Sequence, residues 1–203
     1  MFSRQGLLQT WKEIRPYFIF SAMLFFAGVV IGGTSGAPAD FLEQQIKGVK
    51  AISDSIVKSE TPEWTAFLLI TANNIFSTLM VMGLGIIAGI MPLVMLVSNG
   101  MILGYMLSIL SDKGENMFLL IVKGILPHGI FELTAVFLAC AFGLRFGMTL
   151  IKGIFGSAFG KKEPWQPFVR TATGAVPALI VVVVLLLLAA AVESTITLWL
   201  SKS

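Results

Sequence analysis

His128 and Glu132 stand four residues apart in a largely apolar stretch, with Pro127 before the histidine and Gly129 after it. On a helix that spacing stacks the two side chains on one face. The proline removes one backbone hydrogen bond and frees a carbonyl near that face, while Gly129 lets a neighbouring backbone come close. An imidazole and a carboxylate so placed can share a proton, bind a cation, or hydrogen-bond each other. The amides of Asn73, Asn74 and Asn99 are the candidates to join them.

Other chemistry finds little support. With a single histidine there is no HExxH zinc pair, and no serine or cysteine motif sits beside a general base. The chain is read as no enzyme and is assigned no cofactor. A metal on His128 and Glu132 would complete its shell from amide or backbone oxygens, which suits weak binding better than structural zinc, so the metal stays unknown. The lone cysteine, Cys140, lies in apolar sequence and reads as a packing residue.

The elements that hold these groups are set by the bilayer. Between Glu63 and Asp112 the chain runs 48 residues without a charged residue or a histidine. About 20 apolar residues cross a hydrocarbon core of roughly 30 Å once, so this run crosses twice. Hydrophobic residues make up 56% of the 203, charged residues 12%, and the mean hydropathy is +0.90. That composition describes one integral membrane domain over 1–203, all-α and polytopic, and it makes lipid the partner that the +3 net charge must be reconciled with, rather than nucleic acid. The pattern predicts five transmembrane helices, at about 16–33, 64–82, 92–110, 116–144 and 171–198.

Positive charge orients them, since Lys and Arg are retained on the cytoplasmic side. Arg4, Lys12 and Arg15 precede the first span, and Arg145, Lys152, Lys161, Lys162 and Arg170 fill the penultimate connection. Residues 40–63 and 111–115 are net acidic. Five crossings then place the N-terminus in the cytoplasm and the C-terminus outside, in the plasma membrane. Ala37-Pro38-Ala39 resembles a signal-peptide cleavage site, but the preceding segment is read as a retained crossing.

Three flanking segments look like interfacial amphipathic helices: Leu7, Leu8, Trp11 and Ile14; Leu42, Ile46, Val49, Ile52 and Ile56; and Phe146, Leu150, Ile154 and Phe155. Glycines four apart recur at Gly28 and Gly32, Gly32 and Gly36, Gly85 and Gly89, Gly100 and Gly104, Gly143 and Gly147, and Gly156 and Gly160. Such spacing predicts close helix packing, within one chain or between copies in a homo-oligomer.

The fourth span is the expensive one. From Met117 to Phe137 it holds twelve Leu, Ile, Val or Phe residues, which favour insertion by about 4–7 kcal/mol, while Lys123 and Glu132 oppose it by about 5–7 kcal/mol. This segment needs other helices around it, or a broken or re-entrant path. Counting about 1.5 Å per residue brings Asn73, Asn74, Asn99, His128 and Glu132 to similar depths, so they form the expected intramembrane cluster. Adjacent Asn73 and Asn74 point about 100° apart, so at most one faces it directly. Helix glue and an ion or proton site both remain open. Lys123 and Glu193, nearer the outer helix ends, are expected to pair or to snorkel.

The run Pro127-His128-Gly129-Ile130-Phe131-Glu132-Leu133, with Gly143-Leu144-Arg145 after it, resembles the stage II sporulation protein M family of bacterial and archaeal membrane proteins. So do Asn73-Asn74, the Gly83 to Gly89 hairpin, Ser98-Asn99-Gly100 with Gly104, and Val192-Glu193. The similarity covers about residues 10–200, and the His-Gly-x-x-Glu form looks like the broad branch of the family. The resemblance implies a membrane component or scaffold of an envelope or membrane-remodelling assembly. The residues themselves keep a second possibility, a channel or transporter for a proton or small cation.

Overall fold

The computed structural model describes residues 3–197. Ser3 caps the first helix, its hydroxyl accepting from the Gly6 N–H at 3.2 Å, and α1 runs over Arg4–Gly32. α2 covers Ala39–Val57, and α3 (Pro62–Leu84) begins on a proline, whose missing N–H would have no helical partner there. A tight turn follows, with Ala88 and Gly89 at positive φ, before α4 (Ile90–Asp112). Asn116 then caps the short α5 (Met117–Leu119), and after a π-helical segment α6 covers Leu126–Ala158. α7 (Gln166–Val192) ends in a second π-helical segment, Glu193–Thr197. No strand occurs among the described residues.

The π-helical segment Leu120–Ile125 has a local cause. Pro127 has no N–H to give the carbonyl of Lys123, and its ring crowds that turn. The backbone widens instead, and the Leu126 N–H donates to the carbonyl of Ile121, five residues back.

Among the described residues five helices are long and apolar enough to cross a membrane, as the hydropathy pattern predicts, and the molecule is a multi-pass membrane protein. Position 198, the end of the last expected span, lies outside the described residues. α6 is the central helix: 67% of its apolar window is buried, against 17–28% in the other four. It packs against α1, α3, α4 and α7, while α4 lies mainly on α1.

Two glycine-lined crossings explain that arrangement. A Cβ on Gly104 would strike the Val29 carbonyl, and one on Gly28 would lie 2.8 Å from the Val97 carbonyl oxygen, so α1 and α4 meet backbone to backbone. On α6, a Cβ on Gly143 would lie 2.7 Å from a Pro92 ring carbon, and Gly147 sits against the Ala88-Gly89 turn. Four of the six expected glycine pairs thus pack within one chain. Gly36 faces open space, and Gly160 makes a turn at positive φ.

Two of the three expected amphipathic helices are not separate elements. Leu7, Leu8, Trp11 and Ile14 belong to α1, which passes through Pro16 without a break. The segment with Phe146, Leu150, Ile154 and Phe155 is the continuation of α6, which outruns the predicted end at 144. No proline or capping residue stops the helix there, and Arg145 is neutralised by the Glu13 carboxylate. From Met117 to Ala158 the chain winds 42 helical residues, about 63 Å at 1.5 Å each and twice the hydrocarbon thickness. α2 is a separate helix, but it packs on α3 and α4 with Leu42 fully buried. The Tyr105 hydroxyl donates to Glu43 Oε1 at 3.3 Å and ties α2 to α4. The side chains of Val49 and Ile52 lie outside the described residues.

Candidate functional site

α3 and α6 run parallel in a fixed register. The Asn74 amide on α3 donates to Glu132 Oε1 on α6 at 3.0 Å, across 58 residues of sequence. Gly85 touches Gly143 and Gly89 touches Gly147 at the same offset. The close glycine contacts thus hold the register that brings amide and carboxylate together, and the half-buried carboxyl gains a hydrogen-bond partner.

The expected division between the paired asparagines appears. Asn74 is half-buried on Glu132, whereas Asn73 is exposed at the rim and donates to Asn74 Oδ1 at a long 3.4 Å. His128, one turn before Glu132, is half-buried too. Ser98 and Asn99 face them from α4. All five expected cluster residues, Asn73, Asn74, Asn99, His128 and Glu132, line a single half-open cavity of about 1060 Å³ between α3, α4 and α6. Phe41, Gln45 and Ile56 of α2 close it towards the end of the bundle that carries the acidic connections.

Glu193 departs from its expected place. It lines the same cavity as Glu132. No ion pair joins it to Lys123 among the described residues; the ion pairs there are those of Glu13 with Arg145 and, at 3.6 Å, with Arg170. The turn that begins at Glu193 packs against α3 and α6, and that contact directs the carboxyl inward. Lys123 lies in the π-helical segment above His128.

The Glu13, Arg145 and Arg170 network escapes a reading based on spacing. Arg145 has a side chain only 8% exposed, buried where α1, α6 and α7 meet. A signal was present: Glu13 is the one acidic residue among Arg4, Lys12 and Arg15. The network also joins the two basic segments at one end of the bundle. Thr78 is the other residue overlooked, a cavity-lining threonine one turn beyond Asn74.

No group of three or more His, Cys, Asp or Glu side chains among the described residues is arranged to hold a metal ion. The arrangement instead offers amide, imidazole and carboxyl groups on the wall of a mainly apolar chamber. It can bind a positively charged or hydrogen-bonding group.

Comparison with known proteins gives this architecture a family. An uncharacterised protein of the archaeon Methanocaldococcus jannaschii is 33% identical over 119 residues, which cover 59% of this chain and 51% of that protein. The chain thus spans about half the length of this curated relative. No solved structure matches. The profile of the family described as stage II sporulation protein M matches residues 21–198, nearly the whole bundle and every residue of the intramembrane cluster. The chain belongs to the stage II sporulation protein M family.

Proposed function

We propose that this chain is a non-enzymatic transporter of the plasma membrane, in which a proton or small cation reaches Glu132 and its neighbours. The observation that carries the reading is the cavity itself: Asn74, Asn99, His128, Glu132 and Glu193 line about 1060 Å³ of space. Polar residues that serve only as glue close the gap between helices. Ionisable groups kept beside a chamber at membrane depth are the usual mark of an ion or proton path. The joining of the basic segments at one end supports a cytoplasmic N-terminus, with α2 and the C-terminus outside.

Reconstitution in liposomes tests this. Entrapped pH-sensitive and cation-sensitive dyes report flux for the intact chain, and Glu132→Gln lowers it sharply, because the substitution removes the ionisable group from the path. Absence of proton and cation flux in correctly folded protein overturns the reading.

A second reading, a membrane component of an envelope or membrane-remodelling assembly, rests on another observation. At the basic end Trp11, Phe155, Phe159 and Trp165 are all exposed, Phe159 at 79%. Aromatic residues at a membrane-proximal surface suit either the lipid interface or a protein contact, including a second copy of the chain. Cross-linking from cysteines introduced at Phe155 and Phe159 distinguishes these: protein adducts in native membranes support an assembly, and lipid adducts alone count against it.

A further inference from the structure

We infer that the cavity accepts an amphipathic organic amine arriving sideways from the lipid, with its charged head at Glu132 and its hydrocarbon body in the apolar part of the chamber. The inference deepens the cation-site reading above and rests on it.

Size comes first. A bare metal cation wants six or so oxygens within about 2.0–2.6 Å, whereas this cavity of about 1060 Å³ matches the upper range of small-molecule pockets, roughly 300–1000 Å³. Most of its wall is hydrocarbon, including Ile70, Met80, Val81, Met95, Leu103 and Val136. The polar groups form a separate patch. Its charged members are the carboxyls of Glu132 and Glu193, and no Lys or Arg is among the described lining residues. That pairing of an acidic patch with a greasy chamber complements a cationic head on an apolar body.

Thr78 supplies an independent mark of a ligand. Among the described residues three buried hydroxyls lack a hydrogen-bond partner, those of Ser21, Thr71 and Thr78, and of these only that of Thr78, a residue 1% exposed, lines the cavity. Helical threonines ordinarily return their hydroxyl to a carbonyl of the preceding turn. Thr134, Thr149 and Thr171 do so here, at 2.6, 2.8 and 2.8 Å. Thr78 keeps both donor and acceptor capacity, four residues from Asn74 on the same face of α3.

The direction of entry follows from the packing. α3 leans mainly on α6 and α7 and α4 mainly on α1, with α6 behind both, and the two helices joined at the Gly85–Gly89 turn touch each other little. Phe76 and Met80 on α3, with Met91 and Val94 on α4, line the cavity and are also exposed, Phe76 at 66% and Val94 at 54%. These residues form apolar lips at membrane depth. An amphipathic amine already concentrated in the bilayer meets them first.

The test uses the full chain in nanodiscs, titrated with a dansyl-tagged dodecyl chain ending in a primary amine and with the same chain ending in a hydroxyl. The amine is expected to saturate and to bind about tenfold tighter than the alcohol, the scale of one charge-assisted hydrogen bond. Glu132→Gln abolishes that preference, and Glu193→Gln repeats the measurement if the first variant folds poorly. Thr78→Val weakens the amine by a few fold without lowering the melting temperature, since it removes an unpaired hydroxyl of similar shape. Equal binding of amine and alcohol, or no saturable binding, overturns the inference. Proton or metal-ion flux that persists without amine binding overturns it alone; absence of both overturns the cation site as well.

Discussion

Two glutamates inside this bundle are managed in opposite ways. Glu13 is held by Arg145 and flanked by Arg170, a charge cancelled by charge where three helices meet. Glu132 receives an amide from Asn74 and shares its cavity with a second carboxyl, Glu193. Removing one partner from a buried ion pair strands the other, whereas an amide-bonded carboxyl can change protonation and keep its hydrogen bond. The first arrangement builds structure, and the second leaves chemistry open.

The largest expected effect therefore comes from Glu13→Gln, which strands the Arg145 guanidinium. A loss of about 2–4 kcal/mol is expected, towards the low end for an orphaned buried charge because Glu13 keeps some exposure. Unfolding in mixed micelles measures it, and a loss under 1 kcal/mol in order of magnitude would erase the contrast. Next, Glu13→Leu combined with Arg145→Met should recover most of that loss, since well-packed apolar pairs often replace buried ion pairs at little cost. If the double variant is as unstable as the single one, the network does more than neutralise charge.

Smaller effects are expected at the cavity. Glu132→Gln keeps a carbonyl to accept from Asn74 and should change stability by about 1 kcal/mol or less, read in the same unfolding assay. A collapse of the fold would make Glu132 a structural residue like Glu13. Lys123→Met should be smallest, within about 0.5 kcal/mol, because no ion pair holds Lys123 among the described residues.

The same contrast explains what was legible beforehand. The crossings, the glycine turn between α3 and α4 and the similar depth of the asparagines, His128 and Glu132 follow from local pattern, because length, uncharged runs and helical spacing act within a few turns. That Asn74 rather than Asn73 meets Glu132 depends on how α3 is turned against α6. Glycine spacing announced close contacts, yet whether Gly100 meets Gly28 or another molecule depends on tertiary pairing that spacing does not encode. The long continuation of α6 was hidden for a related reason. Arg145 looks like a charge marking the end of a span until Glu13, 132 residues away, is placed beside it. Glu193 was misplaced because the inward turn at the end of α7 depends on its contact with α3 and α6.

Eleven residues separate Asn74 from Gly85, and eleven separate Glu132 from Gly143. That equal count is three helical turns on each helix of the pair, since eleven residues make about 3.67 per turn. Inserting or deleting one residue between these anchors on either helix swings the carboxyl about 100° away from its amide while leaving composition untouched. Loops at the bundle ends can lengthen freely, but this interval behaves as a ruler, and variation in its length would uncouple the chamber from the glycine clasp that aligns it.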